Sequence, residues 1–497
     1  MPDVANVADA LLCRNLQVRP DKVALISAGE RVTYRELADR AGRFANLLKA
    51  RGLVPGDRLL LALPDGAGFL YAFLGSILAG CTPVLLNPGL PPCDVAFIAR
   101  DVSAKTVVTE PGCPAATAAP APLLVSSDGA LVEELLRHPA RVTPRVPARD
   151  DIAFMQFSSG STGRPKGIPH RHGDVPFVIA TFARQVLSLD EHDVVCCAPK
   201  LYFVYGLCNS ILFPLDAGAT AVLNPGPPTP ETMIRLIREH RATIFCGVPF
   251  HYSLLLQSLP EGAKLESLRL CVSAGEALPE SLLTQWMARQ GVDILNCLGS
   301  TESLSVYLSN RPGQVIPGSC GRVIPPYEVK VADEAGDPLP SGQAGELLVR
   351  GGSILPFYWN QPHKTAQTIL PGGWLRTGDV FVERDGVYYH QGRSDDLFKV
   401  AGQWVSPARI EDALRGHPAV TECAVVAKPV AEMLRPFAYV VLAPGRTPAG
   451  ELMAEFRDFL GRQLPPHQIP VWFHFVDELP KTPTGKVQRF KLRELAE

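Results

Sequence analysis

Apolar side chains recur along the first 150 residues with two spacings, which predict helices and strands in turn. Residues 8–19 and 34–51 repeat apolar positions at helical spacing. Residues 23–26, 31–34 and 58–63 are short apolar runs that are typical of strands. Because helices and strands alternate, we expect a largely parallel sheet that helices cover.

One uncharged stretch, residues 66–93, is long enough to cross a membrane. Gly80 and Pro83 interrupt it, and both residue types favour a turn or a break in a helix. The stretch therefore predicts a buried helix over 67–79 and a short strand over 82–86. We expect no membrane-spanning segment.

The middle of the chain repeats the alternation of strands and helices, and the pattern then changes. Residues 318–350 contain short runs separated by Gly and Pro, which indicates an antiparallel element, and the last hundred residues look separable. The predicted fold class is α/β, with a large N-terminal lobe of parallel α/β sheets, a small β element and a small α+β C-terminal domain. The predicted strands of these regions are 194–197, 220–222, 243–246, 270–272, 420–427, 438–442 and 471–475, and the predicted C-terminal helices are 408–414 and 449–461.

Net charge and cysteine content argue against nucleic-acid binding, disulfide bonds and a zinc site. The net charge is −2 and no basic cluster with interleaved aromatic residues is present, so we expect no nucleic-acid partner. The twelve cysteines include no CxxC pair, which favours reduced thiols over disulfides or a zinc site. The first four residues lack the basic and apolar regions of a secretory signal. These observations predict a cytoplasmic location.

The stretch 158–167 (SSGSTGRPKG) combines three glycines, four hydroxyl side chains and two cations in one predicted loop, directly after an apolar strand pattern. Free backbone N–H groups, hydroxyl donors and positive charge at one point suit the phosphates of a nucleotide. The stretch is not a Walker A loop, because Pro165 precedes Lys166 and Gly167 follows it. The two histidines of His170-Arg171-His172 come soon afterwards without a third metal ligand, and we expect a polar surface there.

Further clusters follow strand patterns downstream. Residues 273–279 (SAGEALP) place small residues where a planar ring can lie against the backbone. Thr301 and Glu302 set a hydroxyl beside a carboxylate, which suits Mg²⁺ and phosphate. Asp379 carries a carboxylate that suits ribose hydroxyls, and residues 392–399 and 480–486 add late cations. Each cluster alone is a weak signal, whereas their order along the chain is a strong one.

In this order the clusters resemble the adenylate-forming superfamily, which holds acyl- and aryl-CoA ligases, luciferase and the adenylation domains of peptide synthetases. The resemblance covers essentially the whole chain. Residues 158–167 with His170, residues 200–207 and residues 299–302 are most similar to the benzoate-CoA ligase branch. The resemblance implies ATP, Mg²⁺ and coenzyme A as cofactors, and an aromatic carboxylate of the benzoate or anthranilate class as substrate. The acid would form an acyl-adenylate, and a thiol would then displace AMP.

The resemblance also implies roles for individual residues and a domain boundary. Residues 1–394 would form the adenylation domain and residues 395–497 a mobile C-terminal domain that rotates about a hinge at Asp395. Catalysis would fall to Lys486, which bridges the substrate carboxylate and the α-phosphate, and to Thr301 and Glu302, with Glu302 also holding the metal. The implied nucleotide and CoA ligands are Ser158, Ser159, Gly160, Ser161, Thr162, Gly163, Lys166, Gly275, Glu276, Ala277, Leu298, Gly299, Ser300, Asp379, Arg393, Lys399 and Gly402.

The chain departs from the wider family at two places. Leu298 stands where many members have an adenine-stacking Tyr, and a Leu still packs a ring face by apolar contact. The positions that match the acyl pocket are Phe203, Val204, Tyr205 and Ser305. Some benzoate ligases carry a smaller residue than Val204 and a His in place of Ser305, so the ring substituents of the acid stay open.

Two other functions compete with the CoA ligase. One is a stand-alone adenylating enzyme that loads its acyl group onto the phosphopantetheine of a carrier protein. The other is an amidase-type serine hydrolase, which would leave Thr301, Glu302, Asp379 and Lys486 without a role and lacks a G-x-S-x-G elbow. The oligomeric state, monomer or homodimer, stays open.

Overall fold

The computed structural model describes residues 6–118, 123–124, 130–159, 165–394, 396–400, 403–430, 433–481 and 487–495. The chain divides into two compact units. The first comprises Met1–Val329 with Val349–Leu375, and the second comprises Lys330–Leu348 with Arg376–Glu497. The expected domain boundary between residues 394 and 395 stays a prediction.

The strands follow the apolar runs of the sequence, since a run of that kind fits a buried sheet. In chain order they are β1 (Val23–Ser27), β2 (Glu30–Thr33), β3 (Arg58–Ala62), β4 (Thr82–Leu85), β5 (Thr106–Thr109), β6 (Leu123–Leu124), β7 (Ile152–Ser159), β8 (Pro165–Arg171), β9 (Val194–Cys197), β10 (Thr220–Leu223), β11 (Ile244–Gly247), β12 (Leu270–Ser273), β13 (Ile294–Gly299), β14 (Val306–Ser309), β15 (Arg322–Val323), β16 (Glu328–Ala332), β17 (Ala344–Arg350), β18 (Ile369–Leu370), β19 (Trp374–Arg384), β20 (Val387–Arg393), β21 (Phe398–Val400), β22 (Gln403–Val405), β23 (Val420–Val430), β24 (Met433–Leu442) and β25 (Trp472–Phe475).

Most helices lie between consecutive strands, as expected for a parallel α/β fold. Two segments, Ile179–Leu187 and Cys208–Leu212, are π-helical, and Thr301–Ser303 and Pro466–Gln468 are 3₁₀ turns. In chain order the α-helices are α1 (Val7–Val18), α2 (Tyr34–Ala50), α3 (Ala67–Leu78), α4 (Pro92–Asp101), α5 (Ala115–Ala118), α6 (Ala130–Leu136), α7 (Asp174–Val178), α8 (Val204–Leu207), α9 (Phe213–Ala217), α10 (Pro230–Glu239), α11 (Pro249–Ser258), α12 (Glu280–Gln290), α13 (Pro362–Thr368), α14 (Pro407–Arg415), α15 (Gly450–Gly461) and α16 (Arg489–Glu494).

The first unit contains two large sheets. The six-stranded sheet has the order β6-β5-β3-β4-β7-β8, in which only the β7–β8 pair is antiparallel. The nine-stranded sheet has the order β15-β14-β13-β12-β11-β9-β10-β1-β2. Its central strands from β13 to β1 are parallel, and β14, β15 and β2 add antiparallel edges. The predicted parallel, helix-covered sheets are confirmed, although β1 and β2 pair antiparallel.

The uncharged stretch forms a buried helix and a strand. Helix α3 buries almost every residue from Ala67 to Leu78, and all four residues of β4 are buried. A helix that is apolar all round belongs in a protein core when it is this short. Across the described ranges, no helix is both long and apolar enough to cross a bilayer.

The nine-stranded sheet carries a group of buried thiols. Cys196 and Cys197 lie on β9, and Cys246, Cys271 and Cys297 lie on β11, β12 and β13. All five are buried and none forms a disulfide. The expectation of reduced thiols in core positions fits this placement.

The second unit has a core of its own. Strand β23 pairs antiparallel with β24, and β25 pairs parallel with β24. Apolar residues of α14 and α15, among them Ile410, Leu414 and Phe456, pack on this sheet. The hairpin of β19 and β20 also belongs largely to this unit, and β16, β17 and β19 carry the chain from one unit to the other. The predicted α+β character of the C-terminal region is confirmed.

Candidate active site

The predicted site residues of the first unit gather at the carboxyl ends of parallel strands. Strands β9, β11, β12 and β13 are neighbours in the nine-stranded sheet and end at one edge, while β7 ends in the six-stranded sheet. The segments 274–277 and 300–305 follow β12 and β13 directly, and the segment 200–205 begins shortly after β9. In open α/β sheets ligands bind outside the carboxyl ends of the strands.

Residues 158–159 and 165–167 of the Ser/Gly stretch belong to strands β7 and β8, which corrects the expectation that all ten residues form a loop. Ser158 pairs with Lys166 and Ser159 with Pro165 across β7 and β8. Gly160, Ser161, Thr162 and Gly163 lie outside the described residues, so their expected contact with phosphate stays a prediction, as does the role of the Ser159 side chain. The hairpin nevertheless directs Lys166 to a defined place.

A three-residue cluster joins this hairpin to the end of β13. Lys166 Nζ donates to Glu302 Oε1 over 2.8 Å, and the Tyr358 hydroxyl donates to the same oxygen over 2.8 Å. The Tyr358 hydroxyl also lies 3.3 Å from Lys166 Nζ. Lysine, carboxylate and phenol thus form a closed triangle in which two predicted ligands, Lys166 and Glu302, meet.

The charge of Glu302 follows from this geometry. Burial raises its pKa, but Lys166 and the Tyr358 hydroxyl outweigh burial and hold the pKa below its ordinary value. The carboxylate is therefore ionised at neutral pH, and its second oxygen, Oε2, takes part in neither bond. One ionised carboxylate beside phosphates is the usual protein contribution to a Mg²⁺ site, so Glu302 fits the expected metal.

The turn after β13 is held tightly and carries Thr301 and Ser305. Ser303 Oγ accepts from Ser300 N over 3.1 Å and donates to Ser305 O over 2.7 Å. Leu304 adopts a left-handed conformation with φ of 62° and is fully buried. A left-handed non-glycine residue costs roughly 1–3 kcal/mol and persists only where its surroundings impose it. Ser305 is buried at this turn, and its expected place in the acyl pocket stays a prediction.

The segment 202–205 is tied to both sheets. The Tyr205 hydroxyl donates to Gly247 O over 3.0 Å and Val272 O over 2.8 Å, at the ends of β11 and β12. Gln156 of β7 donates through Nε2 to Tyr202 O over 3.2 Å. The rings of Tyr202 and Phe203 lie 4.6 Å apart edge to face. The predicted pocket residues Phe203, Val204 and Tyr205 therefore lie with Tyr202 at the same edge, and these four residues are called the aromatic wall below.

A thiol contact links this wall to the turn after β13. Cys208 Sγ donates to Leu304 O over 3.1 Å. The wall, the turn and the Lys166–Glu302–Tyr358 cluster are consequently neighbours in one site.

The histidines after the hairpin are buried, which makes the expectation of a polar surface wrong. His170 is 0% exposed, with its ring 4.9 Å from Phe154, and burial lowers its pKa to about 3. His172 Nδ1 accepts from Val7 N over 3.2 Å. Strand pairing and helix α1 cover these rings. No group of three or more His, Cys, Asp or Glu side chains that suits a metal occurs within the described parts of the chain.

The segment that is expected to bind adenine contains a glycine in a left-handed backbone conformation. Gly275 has φ of +89°, which L residues rarely adopt, and Glu276 and Ala277 are exposed beside it. Leu298 is half-buried on β13, where it pairs with Leu308. A Cβ placed on Gly299 would lie 2.4 Å from Ser305 O, so only glycine fits there.

The second unit brings the two predicted ribose ligands together. Asp379 and Arg393 pair across β19 and β20, and Arg393 Nη1 donates to Asp379 Oδ1 over 3.1 Å. His390 Nε2 lies 3.5 Å from the same oxygen. Burial raises the pKa of Asp379, and His390 and Arg393 outweigh that effect and lower it. The carboxylate is ionised and suited to accept hydrogen bonds from hydroxyl groups.

The remaining predicted residues of the second unit lie outside the described residues. These are Asp395, Gly402 and Lys486, together with the Lys399 side chain. The chain on either side of Lys486 is anchored: Lys481 and Val487 form a β-bridge, and Arg489 Nη2 donates to both oxygens of buried Glu411 over 2.8 Å.

Sequence reasoning missed Tyr358 and Gln156. Tyr358 is 56 positions from Glu302, and an isolated tyrosine in a Gly/Pro-rich segment carries no signal of a carboxylate partner. Gln156 is a polar residue within the apolar strand before the Ser/Gly stretch. A buried amide needs a hydrogen-bond partner, so this position was a signal that Gln156 contacts another segment.

The chain is similar to known proteins along almost its whole length. The family described as AMP-binding enzyme matches residues 12–359, and its C-terminal domain matches residues 409–486. A benzoate–CoA ligase of Thauera aromatica is 42% identical over 510 residues, covering 99% of this chain and 96% of the relative. A p-hydroxybenzoic acid–AMP ligase of Mycobacterium tuberculosis is 35% identical over 475 residues, covering 94% of this chain and 66% of the relative. The crystal structure of the anthranilate CoA ligase AuaEII in complex with anthranoyl-AMP superposes with a TM-score of 0.93 at 36% identity, covering 99% of this chain and 97% of that one.

Proposed function

The chain belongs to the AMP-binding enzyme family, and from that premise we propose that it activates an aromatic carboxylic acid with ATP and transfers it to coenzyme A. The observation that carries the proposal is the Lys166–Glu302–Tyr358 cluster beside the aromatic segment 202–205. A charged phosphate site and a compact aromatic wall at one sheet edge suit ATP and an aryl acid. The relatives named for benzoate and anthranilate support the same class of acid.

In the first half-reaction a carboxylate oxygen of the acid attacks the α-phosphorus of ATP, and pyrophosphate leaves. Both reactants are anionic, so cations must offset their repulsion and the charge that develops at phosphorus. Lys166 would face the phosphates, and Thr301 and Glu302 would lie beside the α-phosphate. Mg²⁺, held by Glu302 and the phosphates, would neutralise charge on the phosphate oxygens.

The second unit would supply the ribose contacts and the remaining cation. Asp379 and Arg393 would bind the ribose, and Lys486 would bridge the acid and the α-phosphate during adenylation. In the second half-reaction the thiol sulfur attacks the acyl carbon, and AMP leaves with the electron pair of the broken C–O bond. A rotation about Asp395 would bring Lys399 and Gly402 to the site for this step.

A carrier protein is the second candidate for the acyl acceptor. The similarity to the p-hydroxybenzoic acid–AMP ligase favours it, because that relative is named for the adenylate and extends beyond this chain. Coenzyme A and a carrier protein present the same phosphopantetheine thiol, so the acyl pocket serves either. The serine hydrolase has no support in the family to which the chain belongs.

The experiment that tests the proposal is pyrophosphate release with benzoate, 2-aminobenzoate, 4-hydroxybenzoate and octanoate at one enzyme concentration. Edge-to-face contact with an aromatic wall contributes about 0.5–1.5 kcal/mol beyond burial. We therefore expect the best aromatic acid to exceed octanoate in kcat/KM by a factor of about two to ten. Octanoate as the best substrate would refute the aromatic pocket. Thioester formation with CoA or with a phosphopantetheinylated carrier protein then identifies the acceptor.

A further inference from the structure

A buried ion pair outside the residues assigned above touches the aromatic wall. Lys200 Nζ lies 3.8 Å from Asp65 Oδ2, and the Asp65 side chain is only 4% exposed. Lys200 Nζ also donates to Asn224 O over 2.5 Å and to Gly226 O over 2.6 Å. The pair therefore joins the loop after β3, in the six-stranded sheet, to loops after β9 and β10 in the nine-stranded sheet.

The same carboxylate holds the backbone at the start of the wall. Asp65 Oδ1 accepts from Leu201 N over 3.0 Å, one residue before Tyr202. The segment then folds back on itself, because a Cβ placed on Gly206 would lie 2.1 Å from Lys200 O. The aromatic side chains thus lie on a tight loop. Asp65 holds the start of this loop through Leu201 N, and the hydrogen bonds of the Tyr205 hydroxyl hold its end.

Burial shifts the pKa values of both members of the Asp65–Lys200 pair. Burial raises the pKa of Asp65 to about 6, against the opposing effects of Lys200 and the Leu201 N–H. Burial lowers the pKa of Lys200, which also interacts with Cys197.

Two other neighbours, His251 and Tyr202, do not change charge between pH 5 and 8, because the pKa of each lies outside this range. Burial, followed by Lys200, lowers the pKa of His251 to about 4. Burial, followed by Asp65, raises the pKa of Tyr202 to about 12. Among Asp65, His251 and Tyr202, Asp65 is therefore the group with a pKa near 6.

We propose that Asp65, through Lys200 and the Leu201 backbone, positions the aromatic wall and so controls the binding of the aromatic acid. Asp65 is a positioning residue, since it reaches the acid only through the segment that follows Lys200. This inference rests on the proposed function. When Asp65 loses its charge, Lys200 keeps its two carbonyl partners, whereas the attraction that draws the wall towards the six-stranded sheet disappears.

The test compares Asp65→Asn with the wild type and with Asp193→Asn. Asparagine keeps an acceptor for Leu201 N and removes the charge. Asp193 is an equally buried carboxylate in the same unit, paired with Arg269 over 2.7 Å, and it precedes β9 at the end away from the wall. The measurements are KM for benzoate, KM for ATP, the melting temperature, and kcat/KM for benzoate from pH 5.5 to 8.

For Asp65→Asn we expect a KM for benzoate about tenfold higher, an unchanged KM for ATP, and a melting temperature at pH 7.5 that does not fall. The melting temperature is expected to hold because the ionised carboxylate is the disfavoured form in the folded protein: a folded pKa above the unfolded value means that neutral Asp65 is favoured there. Asp193→Asn removes a carboxylate whose pKa is lowered in the folded protein and which pairs with Arg269. We expect this variant to have a lower melting temperature and unchanged KM values for benzoate and ATP.

The wild-type pH profile tests the inference without any variant. We expect kcat/KM for benzoate to fall below about pH 6, and this limb to be absent in Asp65→Asn. Equal KM values for benzoate in both proteins, or the same acid limb in both, would overturn the inference. Parallel increases in both KM values with a lower melting temperature would also overturn it, because they indicate a structural role. A wild type that releases no pyrophosphate with any aromatic acid would instead refute the proposed function.

Discussion

Replacing Tyr358 with phenylalanine removes one hydroxyl from the Lys166–Glu302–Tyr358 cluster and leaves the ring in place. In the wild type this hydroxyl donates to Glu302 Oε1 over 2.8 Å. Lys166 Nζ donates to the same oxygen over 2.8 Å and remains in the variant. The substitution therefore removes this charge-assisted hydrogen bond, together with the longer one that the hydroxyl accepts from Lys166 over 3.3 Å. It keeps the ion pair of Lys166 and Glu302 and leaves the carboxylate freer to turn away from the phosphate site.

The size of the effect follows from the bond that is lost. A hydrogen bond to a charged group contributes about 1.5–3 kcal/mol, and the persisting ion pair places the variant at the lower end of that range. A loss of about 1.4 kcal/mol corresponds to a factor of about ten. We therefore expect kcat/KM for ATP in the adenylation half-reaction to fall about tenfold.

The pH profile should change in a defined direction. The Tyr358 hydroxyl is one of the groups that hold the pKa of Glu302 below its ordinary value, against burial, which raises it. Without the hydroxyl the pKa rises, so the acid limb of adenylation moves to higher pH. A lowered carboxyl pKa stabilises the fold above the unfolded pKa and loses that contribution as pH falls, so the variant should also lose stability at neutral pH.

The assay is pyrophosphate release over a range of ATP concentrations from pH 4 to 8, because the acid limb that Glu302 sets lies below the ordinary pKa of a glutamate. Tyr34→Phe is the matched control, because the Tyr34 hydroxyl donates to Ala219 O over 2.8 Å in the core, away from the site. The control should lose stability only. A Tyr358→Phe enzyme with the wild-type kcat/KM for ATP and the wild-type acid limb would refute the role of the cluster.

Two further predictions concern the second unit. Lys486→Ala should slow acyl-adenylate formation by about 10²–10³-fold and spare thioester formation from pre-made acyl-AMP, because its charge would act in the first half-reaction; equal losses in both would contradict the domain rotation. Gly402→Leu should block thioester formation and leave pyrophosphate release intact, since a side chain there would fill the space that the pantetheine needs; a normal thioester rate would show that the thiol approaches elsewhere.

Much of the architecture was predictable because the signals are local. Apolar runs of four to eight residues are typical of buried strands, and β9, β10, β11 and β12 lie within two residues of the predicted positions. The clusters that follow these strands could be placed together for the same reason, since parallel strands end at one edge. The structure brings two of the predicted ligands, Lys166 and Glu302, into contact, and their roles stay predictions.

The contacts that escaped prediction depend on what packs over a residue. Histidine is polar in the sequence, yet pairing of β7 with β8 puts His170 under the Phe154 ring. Tyr358 reaches Glu302 only through the fold of the intervening chain, which no spacing rule describes. Pairing partners of short strands are also non-local, and for that reason the antiparallel pairing of β1 with β2 was not foreseen.

The reactivity of the buried thiols in the nine-stranded sheet reports local unfolding of that sheet. Thiolates, not thiols, react with alkylating reagents, and burial raises the pKa of both Cys196 and Cys297 to about 12. Cys13 and Cys93 are exposed, so we expect them to react in the folded state. Labelling of the sheet thiols therefore counts openings of the sheet itself, and its rate measures the local unfolding of the scaffold on which the aromatic wall and Glu302 are mounted.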